Sequence, residues 1–96
     1  MNRKPLSLAT LEPLCAAVAY VLRKHRLSRH LTLTDMEEKT LLSRQGIAFV
    51  ETLKHVPTLN TMARICRAHG ISATRVIAAA ERRMRNRRGP GGAPKV

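Results

Sequence analysis

Two groups of residues have types and spacing that could do chemistry. Cys66 and His69 are three residues apart, so on a helix they would share one face and could contact the same metal ion. The second group is the polar triplet Ser43-Arg44-Gln45, which opens a short apolar segment and is followed by Gly46. A glycine in the first turns of a helix costs about 0.8–1 kcal/mol relative to alanine. A short helix that is polar and weak at its front end therefore needs an explanation other than stability.

The first group does not indicate a metal centre or an enzyme. No second cysteine–histidine pair occurs at a matching spacing, so we expect no metal site and no cofactor. His25, His30 and His55 are explained more simply as surface or groove residues. No glycine-rich phosphate loop follows a strand, and we expect no enzyme. The few carboxylates suit helix starts, where negative charge is favoured by the helix dipole, as for Asp35, Glu37 and Glu38.

The charge of the chain indicates an anionic partner. Eighteen Lys and Arg residues against six Asp and Glu give a net charge of +12 in 96 residues. This excess repels itself in a folded domain, so it favours a protein that binds nucleic acid or an acidic membrane surface. The alternative is a surface that is basic only for solubility, although acidic residues serve that purpose better.

The cysteines and the N-terminal segment indicate an intracellular protein. Cys15 and Cys66 are too few and too far apart for a disulfide framework, so we expect two buried thiols in a reducing compartment. The apolar segment after the basic N-terminus is interrupted by Glu12 and Pro13 and ends at Arg23. It is predicted to be neither a signal peptide nor a membrane span. We expect a cytoplasmic, nucleoid-associated protein with no membrane partner.

The periodicity of apolar residues predicts an all-α chain of five helices. Apolar residues recur at intervals of three and four, and no alternation of period two appears. The predicted domain covers residues 10–88, between a flexible basic arm (1–9) and a disordered tail (89–96). The predicted N-caps are Thr10, Thr32, Ser43, Thr58 and Ser72, and the predicted ends include His30, Leu53 and Gly70.

The middle of the chain resembles the Cro/repressor-type helix-turn-helix family, also called the XRE family. The resemblance covers LTLTDMEEKTLLSRQGIAFVETLKHVPTLNTMARICRAHGIS, residues 31–72, and extends back through helix 1 to about Leu22. The features that carry it are Ser43-Arg44-Gln45 before Ile47 and Glu51, the Pro57-Thr58-Leu59 start of helix 4, and the Gly70 end of that helix.

The resemblance implies a fold and a function. The implied fold is a compact five-helix lambda-repressor-like domain with flexible basic termini. The implied function is a sequence-specific transcriptional regulator, a repressor in a bacterium or its phage, that binds a palindromic operator as a homodimer. In this family helix 3 lies in the major groove of double-stranded DNA, with its N-terminal half toward the base edges.

The resemblance also assigns roles to residues. Arg44 would pair with guanine and Gln45 with adenine. Ser43 would cap helix 3 or contact a phosphate, and Gly46 would permit close approach or simply be tolerated. The remaining expected DNA contacts are Ala48, Phe49 (against a thymine methyl, or at the edge of the core), Lys54 and His55 on phosphates, and the backbone N–H groups of Thr32 and Leu33 on phosphates.

Two structural roles follow from the same resemblance. Glu51 pairs with an arginine of helix 1, which aligns with Arg26, with Arg23 one turn earlier as the competing partner. Helix 5 would form the dimer interface, only close the monomer core, or do both, through Ile71, Val76, Ile77, Ala80 and Met84. Independently of the resemblance, the charge at the end of the chain predicts either attraction to phosphates or a solvated, disordered end. The arginines concerned are Arg82, Arg83, Arg85, Arg87 and Arg88.

Four residues depart from the family pattern. Glu37 stands where alanine is usual, Leu53 where glycine is common, and His25 where an apolar residue is usual. Leu41 stands at the usual turn glycine, and because leucine is strained at positive φ we expect a different turn geometry.

Two other functions stay open. The first is a nucleoid or RNA-binding protein without sequence preference, although the chain has only two aromatic residues, Tyr20 and Phe49, for stacking on RNA bases. The second is an antitoxin-type DNA-binding protein, in which a partner protein, such as a toxin, binds helix 5 or a terminal arm.

Overall fold

Residues 12–88 fold into five α-helices. The computed structural model describes the backbone of residues 12–88 and the side chains of residues 12–86. No strand occurs in this part of the chain, and the predicted all-α fold is confirmed. The helices are α1 (Pro13–Ser28), α2 (Leu33–Thr40), α3 (Arg44–Glu51), α4 (Leu59–His69) and α5 (Ala73–Arg88).

Hydroxyl side chains cap four of the helices, as predicted. Thr32, Ser43 and Thr58 each accept a hydrogen bond from the backbone N–H three residues later. Ser72 does the same for Arg75 at the start of α5. Each cap satisfies a backbone donor that has no partner within its helix.

The start of α1 differs from the prediction. The helix begins at Pro13, which needs no hydrogen-bond acceptor at that position, and Glu12 holds the N-cap place without a side-chain bond. The predicted cap, Thr10, lies outside the described residues, as do the predicted arm and tail. The end of α3 also differs from the prediction, because this helix ends at Glu51 rather than at Leu53.

The core is formed by one apolar face from each helix. Its largest fully buried apolar side chains are Leu22 of α1, Met36 of α2, Ile47 of α3, Ile65 of α4 and Val76 of α5. Helices α1 and α5 pack along each other, while α2, α3 and α4 close the other side of the core. Because α3 buries Ile47 and Val50, its opposite face is left outside.

The two thiols differ in burial. Cys66 is buried as predicted, whereas Cys15 is only half-buried, so that expectation was wrong for Cys15. Cys15 lies beside an apolar cavity of about 170 Å³ between α1, α4 and α5. Of the helices between residues 13 and 88, none combines the length and the apolar character needed to cross a membrane.

Candidate nucleic-acid interface

The joint between α2 and α3 sets the direction of α3. Leu41 follows α2 in the left-handed conformation, with φ 65° and ψ 19°, and its N–H donates to the carbonyl of Glu37. Our expectation of a different turn geometry was therefore wrong. Thr40 braces the joint, since its hydroxyl donates to the Met36 carbonyl and accepts from the Leu42 N–H. The joint is the tight turn that glycine usually makes, made here with leucine.

The front of α3 is capped and open to solvent. Ser43 Oγ accepts from the Gly46 N–H at 2.9 Å, so the capping role of Ser43 is seen directly. A Cβ on residue 46 would lie 3.0 Å from that same oxygen. The cap therefore favours glycine at this position, independently of any approach to DNA. Arg44 and Gln45 are both exposed. The first turn of α3 thus presents two side chains with hydrogen-bonding ends.

These two side chains share a concavity with the front of α2. It has a volume of about 700 Å³ and is wide open to solvent. Its lining brings together five of the residues predicted to contact DNA and two that were not, Arg26 and Thr34. The lining residues are Arg26, Thr32, Leu33, Thr34, Arg44, Gln45 and Ala48.

The backbone N–H of Thr32 is not available to a phosphate. It donates to Asp35 Oδ2 at 2.8 Å, and the Asp35 N–H donates back to Thr32 Oγ1. These bonds lower the pKa of Asp35, so the carboxylate stays charged at the front of α2. Our assignment of the Thr32 N–H was therefore wrong, because a capping box uses it. Leu33, the first residue of α2, still has an N–H without an intrahelical acceptor.

Arg44 is in contact with α2. Its Nε lies 3.5 Å from Glu37 Oε1, and its Nη1 lies 3.5 Å from Thr34 Oγ1. Glu37 is in the second turn of α2, so it does not serve the helix start as we expected. Neither Glu37 nor Thr34 was predicted as a site residue. Glu37 and Arg44 are seven residues apart with a turn between them, so their contact cannot be predicted without the geometry of that turn.

The loop after α3 gathers the other predicted phosphate contacts. The backbone N–H groups of Lys54 and His55 both donate to the Phe49 carbonyl, at 2.8 and 3.1 Å. The His55 ring meets the Phe49 ring edge-on at 4.8 Å between centroids, and the Lys54 ammonium lies 6.0 Å from the Phe49 centroid. Leu53 makes this tight loop with φ 62°. Phe49 is half-buried and already has partners in the protein.

A buried ion pair holds α3 against α1. Arg26 Nε and Nη2 donate to the two carboxylate oxygens of Glu51, at 2.8 and 3.0 Å. Arg26 Nη1 also donates to the Leu31 carbonyl. Arg23, the competing partner, is exposed. Bidentate pairing and a third bond satisfy the buried guanidinium, so α3 is fixed at its C-terminal end.

The comparison that decides the family is one of sequence. The sequence profile described as "Helix-turn-helix" matches residues 22–76, which is more than half of the chain. The chain belongs to this helix-turn-helix family. The predicted Cro/repressor-type (XRE) membership is confirmed. At the level of the family, the protein is a DNA-binding transcriptional regulator.

Solved structures agree with the fold. A crystal structure of the clp gene regulator ClgR from Corynebacterium glutamicum has a TM-score of 0.72 at 24% identity, over 88% of this chain and 83% of that one. A second ClgR structure from the same organism has a TM-score of 0.67 at 24% identity, over 82% of this chain and 95% of that one. Among curated protein sequences, none matches the chain.

Helix α5 of this helix-turn-helix protein contributes two fully buried side chains to the core. Val76 and Ala80 are completely buried in the monomer, which fits the core-closing alternative for these two residues, while the dimer interface stays a prediction. They face α1 and leave no surface for a second copy. Ile71, Ile77 and Met84 are only partly buried against the core and retain exposed surface.

The arginines of α5 do not all point to solvent. Arg83 packs its guanidinium 3.4 Å from the centre of the Tyr20 ring, a cation–π contact that holds it against α1. Arg82 and Arg85 are exposed. The side chains of Arg87 and Arg88 lie outside the described residues.

Two histidines form a feature that the sequence analysis missed. His69 is buried, and its ring stacks on that of His25 with 5.3 Å between centroids. His25 is half-buried rather than a surface residue, while His30 and His55 are exposed as predicted. Among the residues that the structure describes, neither nitrogen of His69 has a hydrogen-bond partner. Within residues 12–88, no group of three possible metal ligands includes His69 or Cys66.

Proposed function

We propose that this protein is a repressor that binds a palindromic operator as a homodimer, with α3 in the major groove. One observation carries the proposal: Arg44 and Gln45 are exposed side by side on the concavity that α2 and α3 form. Arginine and glutamine are the side chains that pair bidentately with guanine and adenine in that groove. The capped, buried back of α3 holds them at the end of a rigid element.

The proposed contacts divide into two kinds. Arg44 and Gln45 read base edges, with Ala48 one turn later against the groove. Lys54 and His55 in the loop after α3, and the free N–H of Leu33 at the start of α2, contact phosphates. Phosphate contacts supply affinity for any duplex, whereas base contacts supply discrimination between sequences.

The test compares Arg44→Ala with Lys54→Ala in selections from a random duplex library. The unaltered protein is expected to enrich a short inverted repeat. Arg44→Ala should lose the preference at one base pair in each half-site, because a bidentate pair discriminates by about 1–3 kcal/mol. Lys54→Ala should retain every base preference and lower the affinity for all duplexes, with a salt slope smaller by about one.

Three outcomes would contradict the proposal. No enriched sequence from the unaltered protein would favour a nucleic-acid-binding protein driven by charge alone. Equal losses on all duplexes from Arg44→Ala would show that α3 does not read bases. A reporter gene placed behind the enriched repeat, and left unchanged by the protein in cells, would exclude repression.

A further inference from the structure

Glu37 places a carboxylate beside the arginine that is proposed to read a base. Its Oε1 lies 3.5 Å from Arg44 Nε, and about half of each side chain is exposed. Thr34, one turn earlier on α2, holds Arg44 Nη1 at the limit of a hydrogen bond. Two side chains of α2 therefore restrict where the guanidinium of α3 can lie.

The pairing atoms determine which part of the guanidinium stays free. The carboxylate lies beside Nε at an ion-pair distance of 3.5 Å, longer than an ordinary hydrogen bond. In the described chain Nη2 has no acceptor, and Nη1 has only the long contact with Thr34. Guanine O6 and N7 require two donors in a fixed fork, and a guanidinium supplies such a fork in one rigid plane. An arginine held at Nε can therefore present both terminal nitrogens to one guanine.

Stability does not explain a carboxylate at this position. Exposed ion pairs contribute little to folding. Glu37 lies in the second turn of α2, past the helix start, where negative charge would be favoured by the dipole. On a surface that faces DNA, a carboxylate also repels phosphates. The restriction of Arg44 is the effect that remains.

We infer that Glu37 is a positioning residue that holds Arg44 for one guanine in each half-site, while it lowers the affinity for every duplex. The inference rests on the proposed function. Beyond the proposed function, it names guanine as the base that Arg44 reads and Glu37 of α2 as the residue that determines this preference. An unrestricted arginine would also satisfy itself on phosphates or on other bases.

The chain offers a matched control in Glu38. This neighbouring carboxylate of α2 is exposed and makes no ion pair with Arg44. Glu37→Ala and Glu38→Ala remove the same charge from the same helix, and alanine is a strong helix former. Any effect of net charge alone must therefore appear in both variants, whereas an effect on the position of Arg44 must appear in only one.

The experiment repeats the random-duplex selection with Glu37→Ala, Glu38→Ala and Arg44→Ala, after circular dichroism shows that each variant is folded. Both glutamate variants should bind duplexes without the operator more tightly, by similar factors. Only Glu37→Ala should weaken the guanine preference at the base pair that Arg44→Ala identifies. The preference should fall by about 3-fold or more, out of the roughly 5-fold or larger preference that a bidentate pair provides. In the Arg44→Ala background, Glu37→Ala should not change that base pair further.

Three results would overturn the inference, and they are distinguishable. If Arg44→Ala changes one base pair and Glu37→Ala behaves like Glu38→Ala, then Glu37 does not position the arginine and the proposed function stands. If Arg44→Ala changes no base pair, base reading by α3 fails and the inference fails with it. A preference of Arg44 for a base other than guanine would also contradict the inference.

Discussion

Single buried polar residues decide how firmly α3 is held. Arg26 and Glu51 are both more than nine-tenths buried and satisfy each other with two hydrogen bonds. Removing one partner of such a pair leaves a buried charge, which is why these pairs matter more for integrity than for net stability. His69 is the opposite case. It is just as buried, and its ring nitrogens have no partner in the described chain.

The neutral state of His69 makes stability depend on pH. Burial, followed by the nearby charges of His25, Arg26 and Arg29, lowers the pKa of His69 to about 4. Burial and the charges of Arg29 and Arg75 also lower the pKa of His25. The unfolded chain then binds protons that the folded chain excludes. Stability is therefore full above pH 6.5 and is lost as the pH falls from 6.5 to 4.

This effect can be measured by urea unfolding at pH 7 and pH 5. The free energy of unfolding should fall by about 2 kcal/mol between these values on account of His69 alone. His69→Leu should remove most of that difference in the free energy of unfolding, since leucine has no group to protonate. His55→Gln, a change at an exposed histidine, should keep it. An equal pH dependence in His69→Leu and in the unaltered protein would contradict the assignment.

At the scale of elements, the turn between α2 and α3 has a left-handed geometry although the residue that makes it, Leu41, disfavours that geometry. Leu41 adopts left-handed backbone angles, and its side chain is 84% exposed, so packing contributes little to hold it there. The bonds of Thr40 and the buried faces of Met36 and Ile47 fix the two helices, and Leu41 follows. Tertiary packing therefore overrides a local preference in this turn.

Leu41→Gly should stabilise the protein. The left-handed conformation costs an L-residue about 1–2 kcal/mol, and the greater freedom of glycine in the unfolded chain cancels part of that gain, leaving about 0.5–1 kcal/mol. Thermal unfolding measures the change. Leu59→Gly is the matched control, because Leu59 is also exposed but has helical backbone angles, so its replacement should destabilise. A lower melting temperature for Leu41→Gly would show that the leucine is not strained.

At the scale of the whole molecule, one reading helix of eight residues limits specificity, so the proposed function needs two copies. Ile77 and Met84 of α5, and Ile71 in the segment before this helix, retain surface for an interface. Ile77 also lines the apolar cavity that Cys15 borders. A contact there would cover apolar surface.

The dimer is tested with Ile77→Glu and with Ala78→Glu, a change at an exposed position on the same helix. Sedimentation equilibrium should show a dimer for the unaltered protein and for Ala78→Glu, but a folded monomer for Ile77→Glu. The monomer should bind an inverted repeat no more tightly than a single half-site. A monomeric unaltered protein at concentrations that saturate the operator would exclude this interface.

Local chemistry made much of the fold predictable. Caps at Thr32, Ser43 and Thr58 depend only on a hydroxyl and on the backbone three residues later, so they are visible in the chain itself. Apolar spacing of three and four predicted that Ile47 and Val50 face inward. The Arg26–Glu51 pair was expected from family resemblance alone, since nothing in its spacing of twenty-five residues indicates contact.

The sequence by itself determined which segments become helices and which faces of them are buried, because hydrogen bonding within a helix and its periodicity are local. Only the tertiary structure decided which faces meet. Glu37 reaches Arg44 because the backbone of Leu41 is left-handed. His25 stacks on His69 because α1 packs against α4. Val76 and Ala80 are buried because α5 packs along α1. Periodicity defines a face, whereas packing between distant segments chooses its neighbour.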